Sequence, residues 1–386
     1  MPRAVAVVTV VTVVTLAACT AAPATPDPEP DGRPALVTAT VTAAQLGPGS
    51  IIAVVSNTGD QGAPPAEPAT SLEVITPDGV RHPVWSVVLT EDDGYLPGDF
   101  ELADWRPDLH TALLRVQRGG PVPDRVVSYD LVTGETHEVT LPRKAISAAL
   151  DPEGTGILMT LYGKGPAGRI VAQGWDGDRT RLPGTTGGRP LTSVDGRTLV
   201  SPAGDRTDWW VVDLPRHEAR TISPPGSCDP IRWLDDDRVL ASCYAEGGNR
   251  LTSVDLDGGS ARLGPLHPID DAGTVDVIAD GDVVRVGGGR WYVTWRGRGT
   301  GVLTEQQRHG GRTRVPNTAG LLSLRRVPGD RLLLARSDSH QEHPASRSVL
   351  ELLDPATRTR EVVVRLARGE AWRAVIGATD VRAWNA

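Results

Sequence analysis

The chain has 386 residues, 43 of them Gly and 32 Pro, and a formal net charge of −8 at pH 7. That length allows a sizeable buried core. The negative balance, with Lys144 and Lys164 as the only lysines against many arginines, leaves no global positive field of the kind nucleic-acid binding needs, so no nucleic acid is expected as a partner.

At the amino terminus Arg3 precedes an apolar, threonine-rich run over 4–16, which ends in Leu16-Ala17-Ala18-Cys19. Charged start, short apolar stretch and small residues at a cut point make the three-part plan of an export signal. The run falls short of the roughly 20 apolar residues that a spanning helix needs. Its last four residues resemble the bacterial lipobox. The resemblance implies a signal peptide over 1–18, cleavage before Cys19, and fatty acyl chains such as palmitate on Cys19. The lipid would hold the mature chain to the extracytoplasmic face of the cell membrane, which makes membrane lipid the first expected partner. Residues 19–34 carry five prolines and no apolar pattern, and read as the lipidated cysteine followed by a tether.

The remainder, 35–386, is expected to be one all-β domain. One turn signal recurs before apolar β-rich runs, at Pro48, Pro107, Pro152, Asp195, Asp236, Asp280 and Pro328, spaced 41–59 residues apart. A second signal alternates with it, as in Thr76-Pro-Asp-Gly79, Asp130-Leu-Val-Thr-Gly134, Asp255-Leu-Asp-Gly-Gly259 and Trp295-Arg-Gly297. Gly- and Asp-containing turns between short Val-, Leu- and Thr-rich runs are hairpin closures. Seven copies of a four-stranded antiparallel unit predict a seven-bladed β-propeller. The turns and strands at Asp130–Gly134 and Ser193-Val-Asp-Gly-Arg-Thr-Leu199 resemble the TolB-like and WD40-like bacterial propeller repeats. The copy at 270–315 departs most from the pattern. Ring closure is expected from 35–43 completing a blade with strands around 373–376 and 380–384.

Cys228 and Cys243 flank Asp235-Asp236. A tight turn there, setting 234 opposite 237, would bring 228 opposite 243, near enough for a disulfide in an exported protein. No metal site is expected beside them, because no His or further Cys has ligand spacing.

Function is sought in the longer insertions. The stretch 90–102 holds Glu91, Asp92, Asp93, Tyr95 and Phe100, with Trp85 and Trp105 nearby. These seven are the candidates for contact with a ligand or partner. His340, Glu342 and His343 in 337–344 are a weak ligand set, and the arginines between 308 and 326 are a local basic run. There is no Gly-x-Ser-x-Gly elbow, His-Glu-x-x-His or phosphate loop, and neither catalytic residues nor a cofactor are assigned. The expected function is a non-enzymatic binding or scaffold module for a protein or a cell-envelope component such as a glycan. The alternatives are a propeller hydrolase or lyase acting on a glycan or peptide, and an accessory or sensor subunit of an envelope complex.

Overall fold

The computed structural model describes residues 36–379, except 58–68, 90–98, 118–122, 163–167, 189, 194, 205, 246–247, 259, 263–266, 269–276, 297–299, 308–310, 337–347 and 368. Their strands form seven antiparallel sheets, the blades of a β-propeller. Blade 1 consists of Phe100–Arg106, Thr111–Val116, Arg125–Asp130 and Thr136–Thr140. Blade 2 has Ala145–Leu150, Gly156–Leu161, Arg169–Gly174 and Arg179–Arg181, and blade 3 has Leu191–Thr192, Thr198–Pro202, Trp209–Asp213 and Glu218–Ile222. Blade 4 runs through Ser227–Trp233, Arg238–Ala245, Gly248–Asp255 and Ser260–Arg262, and His267–Pro268 adds a short piece against its third strand. Blade 5 has Val277–Val286, Gly289–Arg296, Thr300–Gln306 and Arg312–Arg314; blade 6 has Leu321–Val327, Arg331–Arg336, Val349–Leu353 and Arg360–Arg365.

Blade 7 closes the ring from both ends of the chain. Its first strand is Glu370–Gly377, followed across the sheet by Ile51–Asn57, Ala69–Ile75 and Arg81–Val88, and Leu36–Thr38 lies along the outer edge. The amino-terminal segment and the 373–376 strand thus share a sheet as expected, but they hold opposite edges of it rather than pairing. Residues 380–384 lie outside the described residues.

Burial follows composition across each blade. Ile51–Asn57, with five apolar residues in a row, and Gly156–Leu161 are buried on both faces, while outer strands such as Arg179–Arg181 are exposed throughout. The apolar faces meet between blades, not within them. Ile52, Val54 and Leu72 of blade 7 pack with Phe100, Leu102 and Leu114 of blade 1. Similar clusters join blades 1 and 2, 2 and 3, 3 and 4, 5 and 6, and 6 and 7. A single blade would leave both faces wet, so the array is stable only as a stack.

The first strands share a device that periodicity did not indicate. In blades 1, 2, 4, 6 and 7 one residue is bulged out of register with the second strand, at Ala103, Ile146, Ile231, Leu322 and Arg373 respectively. A bulge adds local twist and re-aims the neighbouring side chain. In blade 5 the irregularity is larger: Ile278 pairs with Thr294 but Val283 with Tyr292. The Asp280 marker therefore lies inside a strand, and the turn it was expected to form sits at Gly287-Gly288, both at positive φ. Trp295-Arg-Gly297, likewise, falls at the second-to-third strand connection instead of closing the outer hairpin.

Candidate functional site

In a four-stranded antiparallel blade, the first-to-second and third-to-fourth turns lie at one end, and the second-to-third and blade-to-blade connections lie at the other. The strand bounds therefore sort the chain into two unlike ends. One carries tight turns such as 107–110, 151–155 and 234–237. The other carries the long connections 58–68, 89–99, 263–276 and 337–347. Glu91, Asp92, Asp93 and Tyr95 fall in the second of these and lie outside the described residues, as do His340, Glu342 and His343.

The other three candidates are corrected by their burial. Phe100 and Trp105 are 0 % exposed and Trp85 is 3 %. Trp85 meets Tyr129 edge-on at 5.1 Å between blades 7 and 1, and the Trp105 indole N–H donates to the Ala378 carbonyl at 3.0 Å. Large rings are what the seam between two flat sheets needs, so these three side chains are core. The Cys228 and Cys243 sulfurs are bonded at 2.05 Å.

At the loop end, Asp99 organises the seam between blades 7 and 1. Its carboxylate accepts from the Thr70 hydroxyl at 2.7 Å, from the Phe100 amide at 2.9 Å and from the Arg373 guanidinium at 2.5 Å. The bulge at Arg373 is what brings that side chain to it. One seam further on, Arg115 donates to Asp124 at 3.0 Å and to the Ile146 carbonyl of blade 2 at 3.2 Å. These charges hold the ring together and are consumed in doing so.

At the turn end, a cleft of about 1000 Å³ separates blades 3 and 4. Its lining includes Asp213, Glu218, Asp235, Asp236, Asp237, Asp255 and Asp257, with Arg216, Arg220 and Arg238. Asp213 and Asp235 also shape their turns, accepting from the Arg216 and Asp237 amides at 3.0 and 3.3 Å. Arg238 hydrogen-bonds the Asp235 carboxyl and holds it below its ordinary pKa. Asp236, Asp237 and Glu218 have no ion-pair partner among the described residues. The sequence showed these aspartates, but as turn formers; that the turns of two blades would place them around one cleft is a property of the stacking. Chemically the cleft favours positive charge. Among the described residues no three His, Cys, Asp or Glu are grouped so as to hold a metal ion, and no helix is long and apolar enough to cross a membrane.

No protein-family model matches the chain, and no curated protein matches it in sequence. Among solved structures it is similar to a prolyl endopeptidase, with a TM-score of 0.52 and 13% identity over 86% of this chain and 49% of that one. It is similar also to puromycin hydrolase, with a TM-score of 0.50 and 16% identity over 88% of this chain and 55% of that one. TolB from Acinetobacter baumannii aligns with a TM-score of 0.38 and 14% identity over 80% of each chain. The chain thus spans about half the length of the two hydrolases. At such identities the first two likenesses show the fold alone, and that fold is the β-propeller.

Proposed function

We propose that the protein is an extracytoplasmic lipoprotein, anchored to the membrane through Cys19, whose propeller serves as a non-enzymatic binding module for a protein or another component of the cell envelope. The observation that carries this reading is the inequality of the two ends of the ring. Tight turns at one end fix the blades, while the strands bordering the longest intervening stretches terminate at the other, where a rigid scaffold has sequence to spare for a partner. The strands that flank 89–99, the stretch holding Glu91, Asp92, Asp93 and Tyr95 in sequence, terminate at that end. The export pattern at 1–19 and the bonded cysteines agree with an oxidising compartment.

The test is a crosslinking pull-down of the intact protein from the membranes of its own cells, beside a variant with Glu91, Asp92 and Asp93 changed to Ser. Recovery of one envelope component with the wild type, and its loss with the variant, is the expected result. Equal recovery of background proteins by both would overturn the binding reading. The mass of the amino-terminal peptide, with and without Cys19→Ala, decides the anchor separately: an unmodified Cys19, or unchanged membrane attachment in the variant, would refute it.

A further inference from the structure

The seam between blades 2 and 3 gathers several buried hydroxyls. Ser147 on the first strand of blade 2 pairs with Thr160 on the second, and Ser201 lies on the second strand of blade 3. Side chains alternate along a strand. Ser147 therefore shares a face with Ala149, Thr160 with Leu158, and Ser201 with Leu199. Ala149, Leu158 and Leu199 form one apolar cluster between the two blades, so all three hydroxyls point into the same seam from both of its walls. They are 3 %, 0 % and 0 % exposed, and none has a hydrogen-bond partner among the described residues. The buried indole nitrogen of Trp210, paired across from Ser201 and packed on the same cluster, has none either.

Between blades 7 and 1 Thr70 is met by Asp99, while Ser56, paired opposite Thr70, has no partner among the described residues; between blades 1 and 2 Arg115 reaches the Ile146 carbonyl. Buried hydroxyls left without partners are rare because their desolvation is uncompensated. Where several face one space, water that can make two to four hydrogen bonds is the usual occupant, and it is as much a part of the fold as a side chain.

We infer that the seam between blades 2 and 3 is a built site for ordered internal water, bridging the hydroxyls of Ser147, Thr160 and Ser201. Water would there do for these hydroxyls what Asp99 does for Thr70. The bound molecules would be long-lived, because the hydroxyls have no direct path to solvent.

A crystal structure of the full chain at a resolution that shows ordered solvent tests this directly. Density within hydrogen-bond reach of Thr160 Oγ1 and Ser201 Oγ is expected. A dry seam, with the hydroxyls turned onto strand carbonyls, would overturn the inference. The nearly isosteric Thr160→Val variant gives an opposite-sign test in urea. If water bridges the hydroxyls, removing one partner strands it and the unfolding midpoint falls; if the hydroxyl was merely unsatisfied, the midpoint holds or rises and the inference fails. Oxygen-17 relaxation dispersion on the wild type and Ser201→Ala gives a third readout: fewer long-lived waters are expected in the variant, and an unchanged number would count against the site.

Discussion

Cys228 and Cys243 stand directly opposite each other in blade 4, and neither backbone group of Cys228 is spent on its partner. Its N–H donates to the Arg206 carbonyl at 3.2 Å and its carbonyl accepts from the Trp209 indole at 2.9 Å, both in blade 3 or its connections. The pair is thus of the close, non-hydrogen-bonded kind, the geometry that admits a cross-strand disulfide. With a sequence separation of 15, the bond should contribute about 3 kcal/mol by restricting the unfolded chain. The double variant Cys228→Ala, Cys243→Ala is expected to lose about that amount in denaturant unfolding. Because both residues are under 4 % exposed, reductant should act on the wild type only once blade 4 opens. Thiol trapping under native conditions checks this.

Arg81 links the outer hairpin of blade 7 to the chain that enters its first strand. It meets Glu73 at 2.6 Å and Glu370 at 2.9 Å, and Glu73 is 2 % exposed. Arg81→Ala would leave the Glu73 carboxylate buried without its cation, and a loss of about 3–5 kcal/mol is expected. Calorimetry on the variant measures it.

The same contact predicts a pH dependence. Burial pushes the Glu370 carboxyl up, but the Arg81 guanidinium and the Ala367 amide outweigh burial and hold it below its ordinary value. A carboxyl lowered in the folded state stabilises above its unfolded value and loses that contribution as pH falls through the folded one. Glu370→Gln should therefore be less stable than the wild type near neutrality, and the gap should narrow below about pH 4.3. Urea titrations at several pH values test the convergence.

Asp104 couples the first strands of blades 1 and 2. Its carboxylate accepts from the Trp105 amide at 2.8 Å and from the Leu150 amide at 2.9 Å, and it is 4 % exposed. Asp104→Ala would orphan the Leu150 amide at a cost of about 1–3 kcal/mol. Hydrogen exchange at Leu150 should quicken more than exchange at the centre of either blade.

Two glycines separate backbone conformation from crowding. Gly79 and Gly177 both have positive φ, at 83° and 94°. A Cβ on Gly177 meets nothing within 4 Å, whereas on Gly79 it would stand 2.6 Å from the Val363 carbonyl of blade 6. Gly177→Ala should lose about 1–2 kcal/mol from conformation alone. Gly79→Ala should lose clearly more, because the clash is with a backbone carbonyl and either that strand of blade 6 or the turn must shift. Matched unfolding curves check the difference.

The architecture was legible because hairpin turns are local. Pro107, Pro152, Asp195, Asp236 and Pro328 each fall at a first-to-second strand turn. The bulges were not legible, since they depend on how first strands crowd the axis. Their effect shows in blade 4, where 228 was expected opposite 243 from a turn pairing 234 with 237. In the structure Leu234 bonds Arg238, and the bulge at Ile231 absorbs the extra residue so that Cys228 still meets Cys243. Trp85, Phe100 and Trp105 were misplaced for a related reason. Proximity in sequence to an acidic insertion says nothing about which way a strand residue faces once two blades close over it.

The outer position of Leu36–Thr38 bears on how the molecule would carry mechanical load. That strand pairs only through Leu36–Val87, Val37–Ser86 and Thr38–Trp85, at the rim of blade 7. Beyond it the chain is stapled across the next seam, with the Ala39 carbonyl accepting from the Tyr129 hydroxyl at 2.6 Å and the Val41 amide donating to Leu131 at 2.9 Å. The pairing that closes the ring, Ile51–Asn57 against Glu370–Gly377, lies three strands further in. If the chain is anchored through Cys19 as proposed, tension reaching Leu36 would peel the rim strand first and then the staple, sparing the closure, so that these contacts would act as a sacrificial fastening for the ring.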